Sequence, residues 1–345
     1  MRRDGRAISW VILSLVLASL GLSCDRGGTS AREDVLTLGA YSVVREVFHD
    51  GLIPEFARIW KTKTGRDLRF EESYNGSGAQ ARAIASGFDA DIAVLSLDSD
   101  MELLVKAGVV KKDWNEGPDR GIVTNSLVVI GHRDRPDLPI HDWGDLTRPG
   151  VGVLYPDPKT SGGARWNIAA IWGAGLLSAS RSTRDAEAAR NLLARIQANV
   201  VIMDSSGRQS LSTFDRGIGD ALVTYENELL LRRKYGKKPI PYVTPDATLR
   251  IESPVALVET SVDRHGNREV AQAFLAFLIS MEGQKILASY GFRPVNPDAK
   301  LGDFPPIPAR LFTIRDLGGW TQVKRTVFDQ DGVWAKTFTD RAQGK

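Results

Sequence analysis

The chain is 345 residues long, 42% hydrophobic and 25% charged, with 33 Gly and 16 Pro, an ordinary globular composition that excludes collagen-like, coiled-coil, largely disordered and multi-span membrane classes. With 45 Lys and Arg against 42 Asp and Glu the net charge is only +3, so no global basic field points to nucleic acid. The length suits about two domains or one large two-lobed unit, with a core that needs no disulfide or metal staple.

The N-terminus is basic, with Arg2, Arg3 and Arg6; residues 7–22 carry no charge, and small residues precede Cys24. That is the layout of a secretory signal peptide, and the uncharged run is shorter than the roughly 20 residues of a spanning helix. Cys24 is the only cysteine, so neither an internal disulfide nor a Cys-based zinc site can form. Its place resembles the lipobox of bacterial lipoproteins, although Gly21 occupies the usual leucine slot and Leu20 lies one position further away. The expectation is a signal peptide over 1–23, lipidation at Cys24 on the periplasmic side of the cell envelope, and a flexible tether over 24–34.

From residue 35 onwards, short apolar strands alternate with helical stretches. The pattern predicts a strand over 35–40, then a helix with Leu52, Phe56, Ile59 and Trp60 on one face, closed by Gly65. It continues with a strand over 68–72, a short helix over 79–86, a strand over 92–97, a helix over 101–106 and a longer apolar run over 122–130. The alternation then restarts: strand 151–155, helices 164–177 and 187–198, strands 200–203 and 221–225. The run 254–258 is much like 122–130, and Val270, Phe274, Phe277 and Leu278 mark a late amphipathic helix. Strands alternating with helices imply an α/β fold with mostly parallel sheets flanked by helices. Two rounds imply two lobes, here 35–123 with 254–345, and 124–253, joined by hinge strands at 122–130 and 254–258.

Four loops share one character: Tyr41-Ser42, Asn75-Gly76-Ser77-Gly78, Thr160-Ser161-Gly162-Gly163 and Ser205-Ser206-Gly207. Each follows a predicted strand, opens a predicted helix, and is built mostly from small or hydroxyl-bearing residues. Ligands of open α/β sheets sit at the carboxyl ends of strands, where helix N-termini offer unpaired N–H groups and a positive dipole end to anions. Any one such loop is also what an ordinary capped helix start looks like. Four of them, two per lobe, fit one oxyanion held mostly by neutral donors.

These same residues resemble the sulfate-binding proteins of bacterial ABC importers. The likeness rests on Asn75-Gly76-Ser77-Gly78, on the run from Pro156 through Thr160-Ser161-Gly162-Gly163-Ala164-Arg165-Trp166-Asn167, on Arg216-Gly217-Ile218-Gly219-Asp220 and on Glu226-Asn227-Glu228. His141-Asp142-Trp143, Leu311-Phe312-Thr313-Ile314 and Gly318-Gly319-Trp320 extend it over almost all of 36–330. The resemblance implies a periplasmic-binding-protein-like fold that closes over sulfate and delivers it to a membrane permease, with no chemistry performed, no cofactor and no metal. It implies ligand contacts from Ser77, Ser161, Gly162, Gly163 and Gly207, with Ser42 and Tyr225 standing where the family commonly has Asp and Trp. Arg45, Arg165 and Arg208 lie just beyond these loops, set either to shape the local potential or to form ordinary ion pairs. Thiosulfate, molybdate and phosphate remain alternatives within the class, and a monomer without nucleic-acid partners is expected.

An enzyme reading rests on Gly76-Ser77-Gly78-Ala79-Gln80-Ala81, which fits the dinucleotide pattern G-x-G-x-x-A with Asp98 about 20 residues on. Against it, the preceding segment 69–74 is too polar for a central strand. No Walker loop and no G-x-S-x-G elbow occur. His49, His132, His141 and His265 are scattered without metal-ligand spacing. His141-Asp142 reads as a helix cap rather than a proton relay.

Overall fold

In the computed structural model, which describes residues 33–117, 119–178, 184–295 and 303–342, the chain opens with β1 (Asp34–Tyr41), whose Leu36, Leu38 and Ala40 are fully buried. A short turn of helix, α1 (Arg45–Val47), leads into α2 (Ile53–Thr64). Phe56 and Trp60 face the core, and Gly65 ends the helix at φ +73°, a left-handed cap that glycine adopts without strain. β2 (Leu68–Asn75) lies parallel to β1. It is the edge strand of the sheet, which is why its polar run Glu71-Glu72-Ser73 is tolerated. After α3 (Ser77–Ala85), β3 (Ile92–Val94) pairs parallel with the other side of β1, and α4 (Asp98–Lys106) follows. This is the first lobe.

β4 (Ile122–His132) carries the chain into the second. There β5 (Val153–Leu154), α5 (Gly162–Leu176), α6 (Ala186–Ala198), β6 (Val200–Ile202), α7 (Gly207–Asp215), β7 (Ala221–Tyr225) and α8 (Glu226–Lys234) follow in order. β5 runs parallel to both β6 and β7. β8 (Tyr242–Val243) adds to β4, and β9 (Ala247–Leu257) returns to the first lobe.

β4 and β9 are each 11 residues long and antiparallel, with Asn125 opposite Glu252 and Leu127 opposite Arg250. The far end of β9 pairs with β3, Val255 opposite Val94, and the far end of β4 pairs with β7, Val128 opposite Tyr225. Each long strand thus belongs to one lobe at one end and to the other lobe at the other, in the strand order β2-β1-β3-β9-β4-β7-β5-β6. β9 starts at Ala247, well before the apolar run that signalled it. Its polar half is held by charge: Arg120, Arg250 and Arg315 bring guanidinium nitrogens within 3.4, 3.0 and 3.3 Å of the buried Glu252 Oε1.

α9 (Glu259–His265), α10 (Arg268–Ile279) and α11 (Met281–Ser289) cover the first lobe. Phe274 of α10 packs on Phe56 and Phe70 with ring centroids 5.0 and 4.9 Å apart. In the tail, β10 (Arg310–Phe312) pairs parallel with the start of β9. α12 (Gly319–Val323) touches α4 and α13 (Val333–Ala342) lies on α6. The sequence reading grouped this tail with the first lobe; its contacts are on both. Among the described residues no single helix is long and apolar enough to cross a membrane.

Candidate functional site

The two lobes meet over a closed cavity of about 20 Å³, little more than the roughly 10–15 Å³ that one water requires on the same measure. Ser42, Ser77, Ser161, Gly162, Gly163, Gly207 and Tyr225 all line it. The chain places them there by starting helices. α3 begins at Ser77 after Gly76. α5 begins at Gly162, with the Ser161 Oγ capping it by accepting from Ala164 N at 3.4 Å. α7 begins at Gly207, with the Ser206 Oγ accepting from Gln209 N at 3.3 Å. α8 begins directly after Tyr225, and Ser42 opens a short 3-10 turn. Residues at five helical starts therefore border one small space, the kind of place where unpaired N–H groups and positive dipole ends favour an anion.

Glycine makes the close approach possible. A Cβ on Gly76 would stand 2.8 Å from the Thr160 carbonyl oxygen of the opposite lobe, and one on Gly162 would stand 3.1 Å from Ser77 Cβ and 3.2 Å from Ser96 Cβ.

The wall is mostly hydroxyl and amide. Ser96 and Tyr225 join the lobes through their hydroxyls at 2.8 Å, and Trp166 Nε1 donates to the Ser96 carbonyl at 2.7 Å. Burial pushes the Tyr225 phenol well above its ordinary value, so it stays protonated and able to donate. No Lys or Arg lines the cavity. One carboxylate does: Glu228 is fully buried, its oxygens accept no hydrogen bond among the described residues, and Arg208 Nη2 stands 3.2 Å from it as its ion-pair partner. Burial pushes the Glu228 carboxyl upward, against the pull of Arg208. A small, enclosed, donor-rich and cation-free space suits a compact anion whose charge is spread over several oxygens.

The three arginines lie outside this wall. Arg208 is in an ion pair with Glu46 at 2.5 Å that ties α7 to the first lobe. Arg165 donates from Nε to the Pro158 carbonyl at 3.1 Å, bracing the loop before Ser161. Arg45 is exposed. The dinucleotide reading finds no room: β2 is an edge strand, the cavity is far smaller than a pyrophosphate with its nucleosides, and Gly76 already abuts Thr160. His141-Asp142 caps as expected, with Asp142 Oδ1 accepting from Trp143 N at 2.7 Å. Among the described residues no group of His, Cys, Asp or Glu is arranged to hold a metal ion.

The family model for bacterial extracellular solute-binding proteins matches residues 50–293. The chain is 39% identical to the sulfate-binding protein of Synechococcus elongatus over 98% of its own length and 96% of the relative's. It is 33% identical to the thiosulfate-binding protein of Pseudomonas aeruginosa, over 94% and 97% respectively. Among solved structures, the sulfate-binding protein SubI from Mycobacterium tuberculosis matches with a TM-score of 0.77 at 37% identity, covering 86% of this chain and all of that one. The chain belongs to the bacterial extracellular solute-binding proteins. Its two lobes, crossed by β4 and β9 with a cavity between them, are the architecture of that family.

Within this solute-binding chain, sequence reasoning did not count four polar wall residues as ligand contacts: Ser96 and Thr224, which it did not single out, and Asn167 and Glu228, which it quoted only as part of the family resemblance. Ser96 and Thr224 sit in or beside apolar strands, where a lone hydroxyl gives no signal. Asn167 is inside α5, and Glu228 is on the first turn of a helix whose charged sequence Glu226–Lys234 carries no amphipathic pattern. Cys24 and the expected signal peptide lie outside the described residues.

Proposed function

We propose that the chain is the binding component of an ABC importer, that it captures sulfate between its two lobes, and that it delivers the ion to a membrane permease without performing chemistry on it. The observation that carries this reading is the convergence of five helical N-termini and the hydroxyls of Ser77, Ser161 and Tyr225 on a cation-free cavity of about 20 Å³. Burying a dianion requires hydrogen bonds from all sides, and each charge-assisted bond contributes roughly 1.5–3 kcal/mol. The seven residues named from the sequence are the proposed ligands, with the lobes bounded near 123 and 254 and the protein acting as a monomer. The likeness to sulfate-binding relatives supports sulfate, and the thiosulfate-binding relative makes thiosulfate the second reading. Calorimetric titration with sulfate, thiosulfate, molybdate and phosphate tests this directly. Sulfate is expected to bind most tightly; no binding of any of the four removes the reading.

The basic start, the uncharged run and the placement of Cys24 support lipid anchoring outside the cytoplasmic membrane. Fractionation of native and Cys24→Ala proteins tests it: release or incomplete processing of the variant is expected, and equal membrane retention with normal processing contradicts it.

A further inference from the structure

Ser77 is buried, and its hydroxyl is fully engaged without any ligand. Its Oγ donates to Asp100 Oδ2 at 2.5 Å and accepts from Ser96 N at 2.9 Å. A serine hydroxyl has one proton and two lone pairs. With that proton given to Asp100, the side chain has nothing left to donate to an oxyanion in the cavity it lines. If Asp100 itself carries a proton, the contact inverts. Asp100 then donates to Ser77 Oγ, the second lone pair still accepts from Ser96 N, and the serine proton is free to turn into the cavity.

We infer that Asp100 is a positioning residue which holds a proton when the oxyanion is bound, so that the chain of donors runs from Asp100 through Ser77 to the ion. The inference rests on the function proposed above. No bond is made or broken beyond the proton, which Asp100 takes from solvent. Electrostatics point the same way, because a dianion against the far side of Ser77 raises the free energy of an ionised carboxylate behind it. The groups that face Asp100 are Ser77 and Arg82 of α3, Arg165 of α5 and the phenol of Tyr225. Burial raises the affinity of this carboxyl for its proton, while Ser77, Arg165 and Arg82 oppose that. Asp100 lies on the first turn of α4, just behind the wall, where it meets the protein rather than the ligand.

The test is infrared spectroscopy of the sulfate-loaded full chain at pH 8, where Asp98, pushed up to about 6, is ionised. Labelling aspartate carboxyl carbons with 13C identifies any protonated aspartic acid, because its C=O band moves while those of buried Glu226 and Glu228 do not. One such band is expected. It should vanish in Asp100→Asn and shift in Ser77→Ala, which removes its hydrogen-bond partner; the Ser77 variant also keeps the assignment open if Asp100→Asn does not fold. Absence of an aspartic acid band, or a band that survives Asp100→Asn or is unmoved by Ser77→Ala, overturns the inference. Calorimetry on the same samples separates the two readings. Sulfate bound without the band removes only the inference, whereas no sulfate binding removes the function beneath it.

Discussion

At the scale of single residues, one buried and one half-buried polar group do opposite work. Ser161 is 5% exposed, lines the cavity and caps α5 through Ala164 N. On the proposed function, replacing it with alanine removes one hydroxyl donor to a charged ligand, about 1.5–3 kcal/mol, and in any case one helix cap, about 1 kcal/mol. Ser161→Ala is therefore expected to weaken sulfate binding roughly tenfold to a hundredfold and to lower the unfolding midpoint slightly; calorimetry and thermal melting read the two effects separately. Asp98 is the converse case. Burial and the nearby Glu252 push its carboxyl up to about 6, against Arg120, and its Oδ1 has no partner among the described residues. A carboxyl whose folded pKa is raised binds its proton more tightly in the native than in the unfolded state. The native protein then loses stability as pH rises from the unfolded value near 4 through about 6. Asp98→Asn removes that loss. It should stabilise the protein at pH 7 by about 3 kcal/mol and leave stability near pH 4 almost unchanged, as urea unfolding at the two pH values would reveal. A variant no more stable at pH 7 than the native chain would mean that Asp98 is already satisfied when ionised.

Elements are held in place as much by paired charge as by apolar area. α8 starts at Glu226, which is fully buried and accepts from Arg293 Nε at 2.6 Å and Nη2 at 2.9 Å. That pair ties the helix that follows Tyr225 and carries Glu228 to the segment after α11. Removing Arg293 leaves a buried carboxyl without its counter-charge, so Arg293→Ala should cost about 3–5 kcal/mol in denaturant unfolding. The double variant Glu226→Gln/Arg293→Ala should recover part of this; recovery of none would place the loss in Arg293's packing over Phe304 instead. The same chemistry explains which elements the sequence made legible. β1, α2, β4, α5, β7 and α10 were readable because each buries a continuous apolar run or stripe. The first half of β9 and the whole of α8 were not, because their buried Leu249, Ile251, Leu229 and Leu231 are interleaved with buried Glu252, Glu226, Asn227 and Glu228, and Glu252 and Glu226 are paired by arginines far along the chain. The cavity followed the same division. Loops rich in Ser and Gly at helix starts announce themselves locally, whereas Ser96 and Asn167 reach the wall only through the packing of the lobes.

For the whole molecule, the decisive feature is that the lobes touch backbone to backbone at the cavity mouth while β4 and β9 run from one lobe into the other. Such a joint allows one lobe to rock against the other, and a ligand shifts the balance by whatever contacts it makes only in the closed arrangement. The conformation seen here is closed: Ser96 meets Tyr225, Arg208 meets Glu46, and the phenol of Tyr235 donates to Asp50 at 2.5 Å. Gly76 is one tight point between the lobes. Its backbone, at φ −59° and ψ 138°, suits alanine, so Gly76→Ala should leave each lobe undisturbed. Yet the added Cβ would stand 2.8 Å from the Thr160 carbonyl oxygen, which belongs to the other lobe. Overpacking of this kind costs about 1–3 kcal/mol, and here that cost falls on closure alone. The variant should melt like the native protein without ligand, bind sulfate about five- to a hundredfold more weakly, and need correspondingly more sulfate to contract in small-angle X-ray scattering. A variant that binds and contracts like the native protein would show that the ligand-bound state does not bring Gly76 against Thr160, and that the lobes close around the ion by a different approach.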